Sequence, residues 1–184
     1  MKRLCIVAIA AVAAVLLAGA GIQADDNERE FKAQLSGAEE VPPVVTDTTG
    51  AVEVEFNVDE TKAEFELDVN NGVRVTQAHI HCAAKGVNGQ IVVFLAGFHD
   101  RGWDVNGSWV ENTTITDANV IPRAPTAACP FAINTLSDVA RAAREGFAYV
   151  NVHTVAHPGG EIRGQLSHVS FVNSKTRRWP GRGL

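Results

Sequence analysis

The chain has 184 residues, of which 46% are hydrophobic and 20% are charged, and its formal net charge is −5. This length and hydrophobic content suit one domain with a buried core. An acidic chain is not attracted to the phosphate backbone, so nucleic acid is excluded as an expected partner.

The first 24 residues have the features of an export signal. Lys2 and Arg3 form a short basic start, residues 4–17 are all apolar, and small residues lead up to residue 24. This pattern predicts a cleaved signal peptide, because the apolar run is shorter than the about 20 residues of a membrane span. We therefore expect a secreted, periplasmic or extracellular protein without membrane insertion; an uncleaved anchor is the alternative. Loss of Lys2 and Arg3 takes the net charge from −5 to −7.

The next part of the chain, residues 25–170, is predicted to be one all-β domain. Residues 51–59 and 63–69 alternate apolar and polar side chains around a turn-like segment, which indicates an antiparallel hairpin with one buried face. Six further strands are predicted at 31–35, 75–81, 90–96, 109–115, 147–154 and 161–169. Asn- and Gly-rich segments, such as residues 70–72, separate several of them.

One short helix is predicted before the 147–154 strand. Ser137 is a candidate N-cap, and Leu136, Val139 and Ala143 recur on one face. Gly146 is suited to end the helix. About eight short strands with a single helix predict an antiparallel, Greek-key-like β-sandwich.

Four of the six histidines lie in two short segments that are far apart in the sequence. His79 and His81 are two residues apart, so on a β-strand their side chains project from the same face. Asn151 and His153 have the same relation. If the two strands are neighbours, three imidazoles converge on one patch, with His157 nearby on a turn.

This convergence predicts a metal site. Neutral imidazole is a ligand for copper and zinc, and three histidine nitrogens leave one position open for water or a small ligand. We therefore predict that His79, His81, His153 and His157 bind copper or zinc. The alternatives are a hydrogen-bonded network that fixes the register of the sheet, and a surface for a peptide or glycan.

Catalytic chemistry has less support in the sequence. The chain has no serine in a nucleophile elbow and no phosphate-binding glycine loop. Glu161 and Arg163 are candidates for acid–base or electrostatic roles, but a salt bridge across the sheet is the simpler interpretation. We lean toward a binding protein rather than an enzyme, and the sequence indicates no protein partner.

The cysteines and the C-terminal residues complete the sequence predictions. Cys5 leaves with the signal peptide, and two remaining cysteines in an exported chain most often form one disulfide, here Cys82–Cys129. Metal ligation by Cys82 is the alternative. Residues 171–184 are basic, contain Pro and Gly, and are predicted to be a flexible tail; a tail that contacts a surface or a protein is the alternative.

Taken together, these segments resemble the CHRD domain family, over residues 31–169. The marks of the family are residues 35–44 with Gly50, residues 78–81 with Gly86 and Gly89, Gly146, residues 149–154, and residues 158–166. The resemblance implies an exported β-domain and does not by itself imply a reaction. A structural or adhesive domain without metal is therefore a further alternative.

A weaker similarity exists to copper/zinc superoxide dismutase. It implies that His79, His81 and His153 are copper ligands and that Cys82 and Cys129 form the disulfide. Between Cys82 and His153 only His99 is available, so the ligands of a zinc-binding loop are missing. The enzymatic alternative is therefore a dismutase-like protein with a copper-only site.

Overall fold

The computed structural model describes residues 29–168, except for the side chains of residues 111 and 112. The predicted signal peptide and the predicted tail of residues 171–184 lie outside this range. Within it, eight strands and one α-helix follow in chain order: β1 (Glu30–Ser36), β2 (Thr49–Phe56), β3 (Lys62–Cys82), β4 (Gln90–Ala96), β5 (Trp103–Thr116), α1 (Leu136–Arg144), β6 (Ala148–Thr154), β7 (Ile162–Gln165) and β8 (Ser167–His168).

The strands form one antiparallel sheet that closes on itself. Five of the described strands pair in the ring order β1, β2, β3, β6, β7, and the ring closes where Ser36 of β1 pairs with Arg163 of β7. β4 and β5 pair with β3, and β8 pairs with β1. The predicted antiparallel all-β class with one helix is confirmed. The architecture differs from the expected Greek-key sandwich, because it is a closed five-stranded barrel with extra strands.

The long strand β3 is the physical reason for this difference. Its first half pairs with β2, its second half pairs with β4 and β6, and β5 runs beside the first half and the junction. The sequence predicted two strands separated by a turn at residues 70–72. Instead the chain continues through Asn71 and Arg74, with φ of 56° and 53°, and the register with β5 shifts there. Such irregularities bend a strand without ending it, so β3 belongs to both halves of the barrel.

The barrel interior is filled by the inward faces of the strands. In β1, buried and more exposed residues alternate, as expected for a strand with one wet face. The largest buried apolar side chains are Phe31, Phe56, Leu35, Leu67, Ile80, Ile133, Leu136, Ile162 and Leu166. Strand β6 is different because all seven of its residues are buried. The polar side chains of β6 are therefore enclosed as well, and they form one wall of the candidate site.

The N-cap of the helix lies two residues before the predicted one. Thr135, not Ser137, is the N-cap, because its side chain accepts a hydrogen bond from the Asp138 amide while the Asp138 carboxylate accepts one from the Thr135 amide. The apolar face of α1 is buried, as predicted. Within residues 29–168, no helix has the length and hydropathy needed to cross a membrane.

A disulfide joins Cys82 at the end of β3 to Cys129 in the segment that precedes α1, as predicted. The two Cα atoms are 5.4 Å apart, which is within the normal range for a disulfide. Because the Cys82 sulfur is bonded to Cys129, it is not available as a thiolate ligand.

Candidate metal centre

Strands β3 and β6 bring three histidines together. The two strands are antiparallel neighbours, with Gln77 opposite His153 and His79 opposite Asn151. Side chains on one face of neighbouring strands are close enough to interact directly or diagonally. One nitrogen from each of His79, His81 and His153 lies within 4.8 Å of the other two. The predicted convergence is thus present, although His79 and His153 are 74 residues apart in the sequence.

The three rings, called the triad below, are buried. Their exposed fractions are 1% for His79, 7% for His81 and 5% for His153. Phe94 on β4 is the cross-strand partner of His79, and the two ring centroids are 4.5 Å apart in an edge arrangement. Tyr149 stacks on His81, with centroids 4.8 Å apart and planes 9° apart. Aromatic rings therefore form two walls of the triad, and no pattern in the sequence indicates the role of Phe94.

Backbone carbonyl groups orient two of the rings. Nδ1 of His81 lies 3.0 Å from the carbonyl oxygen of Gly89, and Nδ1 of His153 lies 3.0 Å from that of Pro158. A carbonyl oxygen only accepts hydrogen bonds, so each Nδ1 carries the proton and donates it. In a neutral ring this leaves a lone pair on Nε2. Metal-binding histidines commonly have this support from an outer shell.

His79 is held by a neighbouring histidine instead. Its Nδ1 lies 3.0 Å from Nε2 of His153, which also lies 3.0 Å from Oδ1 of Asn151. With the lone pair of His153 on Nε2, Nδ1 of His79 donates to it and Nε2 of His79 is left unprotonated, whereas Oδ1 of Asn151 is a second acceptor beside this lone pair and forms no hydrogen bond with it. Within the described residues, Nε2 of His79 and Nε2 of His81 are buried without a hydrogen-bond partner. Buried polar atoms without partners are rare and destabilising, so these two nitrogens call for an explanation.

Burial also keeps the triad in the protonation state that binds metals. Burial, together with the neighbouring histidines, lowers the pKa of His79 to about 3. Burial lowers the pKa of His81 to about 4 and lowers that of His153 as well. Metal-binding imidazole must be deprotonated. At neutral pH the triad therefore offers neutral nitrogens and has no protons to lose before an ion binds.

A buried arginine lies behind Tyr149. The guanidinium carbon of Arg163 is 3.5 Å from the centroid of the Tyr149 ring, and Arg163 is only 2% exposed. Its guanidinium group donates hydrogen bonds to the side-chain oxygen of Asn88 and the carbonyl oxygen of Val87. Because Tyr149 also stacks on His81, a fixed positive charge lies one aromatic ring away from the triad.

Within residues 29–168, Glu161 and Arg163 do not form the expected salt bridge across the sheet, because each has other partners. The carboxylate of Glu161 accepts hydrogen bonds from the hydroxyl groups of Thr46 and Thr48, each at 2.6 Å, and from that of Thr154. Burial alone would raise the pKa of Glu161, but these hydrogen bonds hold it below the usual value. Glu161 therefore secures the segment after β6 rather than acting at the triad.

Glu40 is a buried carboxyl group that the sequence analysis did not assign to the site. It is 6% exposed, its Oε1 has no hydrogen-bond partner within the described residues, and burial raises its pKa to about 7 despite attraction by Arg163. It packs against Gly160, where an added Cβ would lie 2.5 Å from Oε1 of Glu40 and 2.9 Å from Nδ2 of Asn151. Its neighbours come from distant parts of the chain, so the local sequence contains no sign of this burial.

His157 does not join the triad. It is partly buried and lines a groove with Val73, Arg74, Val155 and Glu161. The ring nitrogens that lie within 4.8 Å of one another belong to His79, His81 and His153, and His157 is not in this described group. The structure thus separates the fourth predicted ligand from the other three.

The fold and the site define an all-β barrel domain with a buried cluster of three histidines. A family model described as CHRD domain matches residues 31–166. This is most of the chain, so the protein belongs to the CHRD domain family, and the resemblance seen in the sequence is confirmed. No curated protein and no solved structure matches the chain, so the similarity to superoxide dismutase gains no support from these comparisons.

Proposed function

We propose that this CHRD-domain protein is exported and binds one transition-metal ion, copper or zinc, through His79, His81 and His153. The observation that carries the proposal is the pair of buried, unpartnered Nε2 atoms of His79 and His81 in a cluster of three neutral imidazoles. A cation supplies the partner that these lone pairs lack. Carbonyl groups already orient two of the rings toward it.

The geometry is close to that of a bound ion. Nitrogen ligands about 2.0–2.1 Å from a tetrahedral ion lie about 3.4 Å from one another. The triad nitrogens lie within 4.8 Å of one another, so the site is completed by side-chain rotations that bring the most distant pair up to about 1.4 Å closer. In this arrangement the ion replaces the hydrogen bond between His79 and His153.

The non-metal alternatives fit these observations less well. A polar network that only braces the sheet is expected to satisfy its own donors and acceptors, because a half-satisfied network destabilises the fold. Here two ring nitrogens have no partner. A surface for a peptide or glycan requires accessible groups, whereas the three rings are at most 7% exposed. We do not propose the dismutase or the adhesive function, because no observation favours either.

The proposed export is supported by two independent features. The first 24 residues match a signal peptide in their basic start, apolar run and small residues. The disulfide between Cys82 and Cys129 is the kind of bond that persists in oxidising compartments. Detection of the mature protein outside the cytoplasm, with residues 1–24 removed, tests this part of the proposal.

Metal analysis of protein purified without a histidine tag tests the metal site. After loading with copper or zinc and removal of excess ion, we expect one equivalent in the wild type and none in His79→Ala or His153→Ala. His157→Ala is the matched control, because His157 is close in sequence but outside the triad, and it should keep the full equivalent. Equal metal content in all four proteins would remove the proposed site.

A further inference from the structure

We infer that the triad selects a monovalent d10 ion, Cu(I), over a divalent d10 ion, Zn(II); this inference rests on the proposed metal site. The two ions have the same closed d shell, so their difference at this site is mainly one of charge and coordination number. Both properties can be compared with the described surroundings of the triad.

Every donor of the triad is neutral. Among the described residues, the triad is a group of three histidines without a carboxylate or thiolate, and the Cys82 sulfur is held in the disulfide. The amide oxygen of Asn151, 3.0 Å from Nε2 of His153, is neutral as well. An ion bound here keeps its full charge, because no ligand cancels any of it.

Burial of the charge of an ion costs free energy. The free energy lost when an ion leaves water rises with the square of its charge, so a divalent ion loses about four times as much as a monovalent ion of similar size. The triad rings are between 1% and 7% exposed, so solvent compensates little of this loss. A buried site with only neutral donors therefore penalises Zn(II) more strongly than Cu(I).

The positive charge of Arg163 lies near the triad and is separated from His81 by the ring of Tyr149. Repulsion between this guanidinium group and a bound ion doubles when the charge of the ion doubles. The guanidinium group therefore disfavours Zn(II) more strongly than Cu(I).

The two ions also differ in coordination number. Zn(II) is almost always four-coordinate, and with three histidine ligands it adds a water molecule or another ligand. Two walls of the triad are instead aromatic, since Phe94 lies 4.5 Å from His79 and Tyr149 stacks on His81. These walls offer no hydrogen bond to a water ligand from their ring faces. Three nitrogens without a fourth ligand are sufficient for Cu(I).

Asn151 favours Zn(II) rather than Cu(I), and it therefore provides a test. Its amide oxygen is a hard donor at the edge of the triad and is the candidate fourth ligand for a divalent ion. Asn151→Asp changes this oxygen to a carboxylate of the same size. The substitution adds the negative charge that the site lacks, so it should shift the preference toward Zn(II).

Competition titrations against chromophoric chelators, with Cu(I) under anaerobic conditions and with Zn(II), measure both affinities. We expect wild-type protein to bind Cu(I) about 100-fold or more tightly than Zn(II), and Asn151→Asp to reduce this ratio about tenfold. Asn106→Asp is the matched control: it adds the same charge on the exposed part of β5 and should leave the ratio unchanged.

The possible failures are distinguishable. If the wild type binds Zn(II) as tightly as Cu(I), or if Asn151→Asp and Asn106→Asp change the ratio equally, the inference is wrong and the metal site remains. If the wild type binds neither ion, the proposed function fails and the inference fails with it. Should Asn151→Asp not fold, the wild-type ratio alone decides, and a larger rise of the wild-type unfolding temperature with Cu(I) than with Zn(II) provides the second measurement.

Discussion

Burial of three neutral imidazoles makes the stability of the metal-free domain dependent on pH. An unfolded histidine has a pKa near 6.5, whereas burial lowers the pKa of His79 to about 3 and that of His81 to about 4. Below pH 6.5 the unfolded chain therefore binds more protons than the folded one, and the free energy of unfolding decreases. Each such histidine removes about 1.4 kcal/mol per pH unit within this window. Burial raises the pKa of Glu40 to about 7, so below this pH the folded chain binds a proton there before the unfolded chain does. This raises the free energy of unfolding as the pH falls and offsets the effect of one histidine.

We therefore expect the urea midpoint of metal-free protein to fall between about pH 7 and about pH 5, and to fall less steeply in His79→Gln. This variant removes one group that protonates only on unfolding. His99→Gln is the control, because His99 is exposed, and it should keep the wild-type slope. Equal slopes in all three proteins would show that the triad is already protonated or accessible in the folded state.

The same residues show what the sequence could predict about the site. The period of two along a strand was enough to place His79 with His81 and Asn151 with His153. It could not show that this face is buried, because the groups around it come from distant segments. Gly89 and Pro158 supply carbonyl groups, Phe94 supplies a ring, and none of these contacts has a local sequence pattern.

At the scale of the elements, the misread turn at residues 70–72 has a physical explanation. Asn and Gly favour turns, but β5 pairs on both sides of this segment, with Gly107 opposite Val69 and Trp103 opposite Val75. These long-range pairings hold the chain as one irregular strand. The helix start was also misplaced, at Ser137, and the capping-box spacing of Thr135 and Asp138 is the local signal that the prediction missed.

The disulfide is expected to stabilise the domain without taking part in metal binding. It closes a loop with a sequence separation of 47 residues, so replacing Cys82 and Cys129 by Ala should lower the free energy of unfolding by about 3–4 kcal/mol. Denaturant unfolding of the double variant measures this loss. The metal content at a temperature where the variant is folded should equal that of the wild type, and a lost equivalent would assign Cys82 to the site.

Closure of the barrel depends on a glycine in β7. A Cβ at Gly164 would lie 2.3 Å from the backbone oxygen of Gln34 in β1, so Gly164→Ala forces the two strands apart. We expect a loss of about 2–3 kcal/mol in the free energy of unfolding. Gly159→Ala is the matched control, because an added Cβ there meets nothing within 4 Å. Similar unfolding midpoints for the two variants would contradict this account of the closure.

At the scale of the whole molecule, the closed sheet explains why a polar cluster lies in a buried place. Strand β6 lies between β3 and β7, and all of its residues are buried. Its apolar side chains join the barrel core, while Tyr149, Asn151 and His153 lie on the other face of the strand, at the buried triad. The all-β class followed from the alternation in the sequence. Closure of the barrel could not be predicted from this alternation, because it depends on the single strand β3 pairing in both halves of the barrel.

The most direct test of the central claim is an X-ray absorption spectrum of untagged protein loaded with one equivalent of metal. If His79, His81 and His153 share one ion, the spectrum shows three nitrogen ligands at about 2.0 Å with outer-shell scattering from imidazole. The imidazole scattering then decreases in His153→Ala. A spectrum without imidazole scattering, or one that is the same in the wild type and in His153→Ala, would contradict the account.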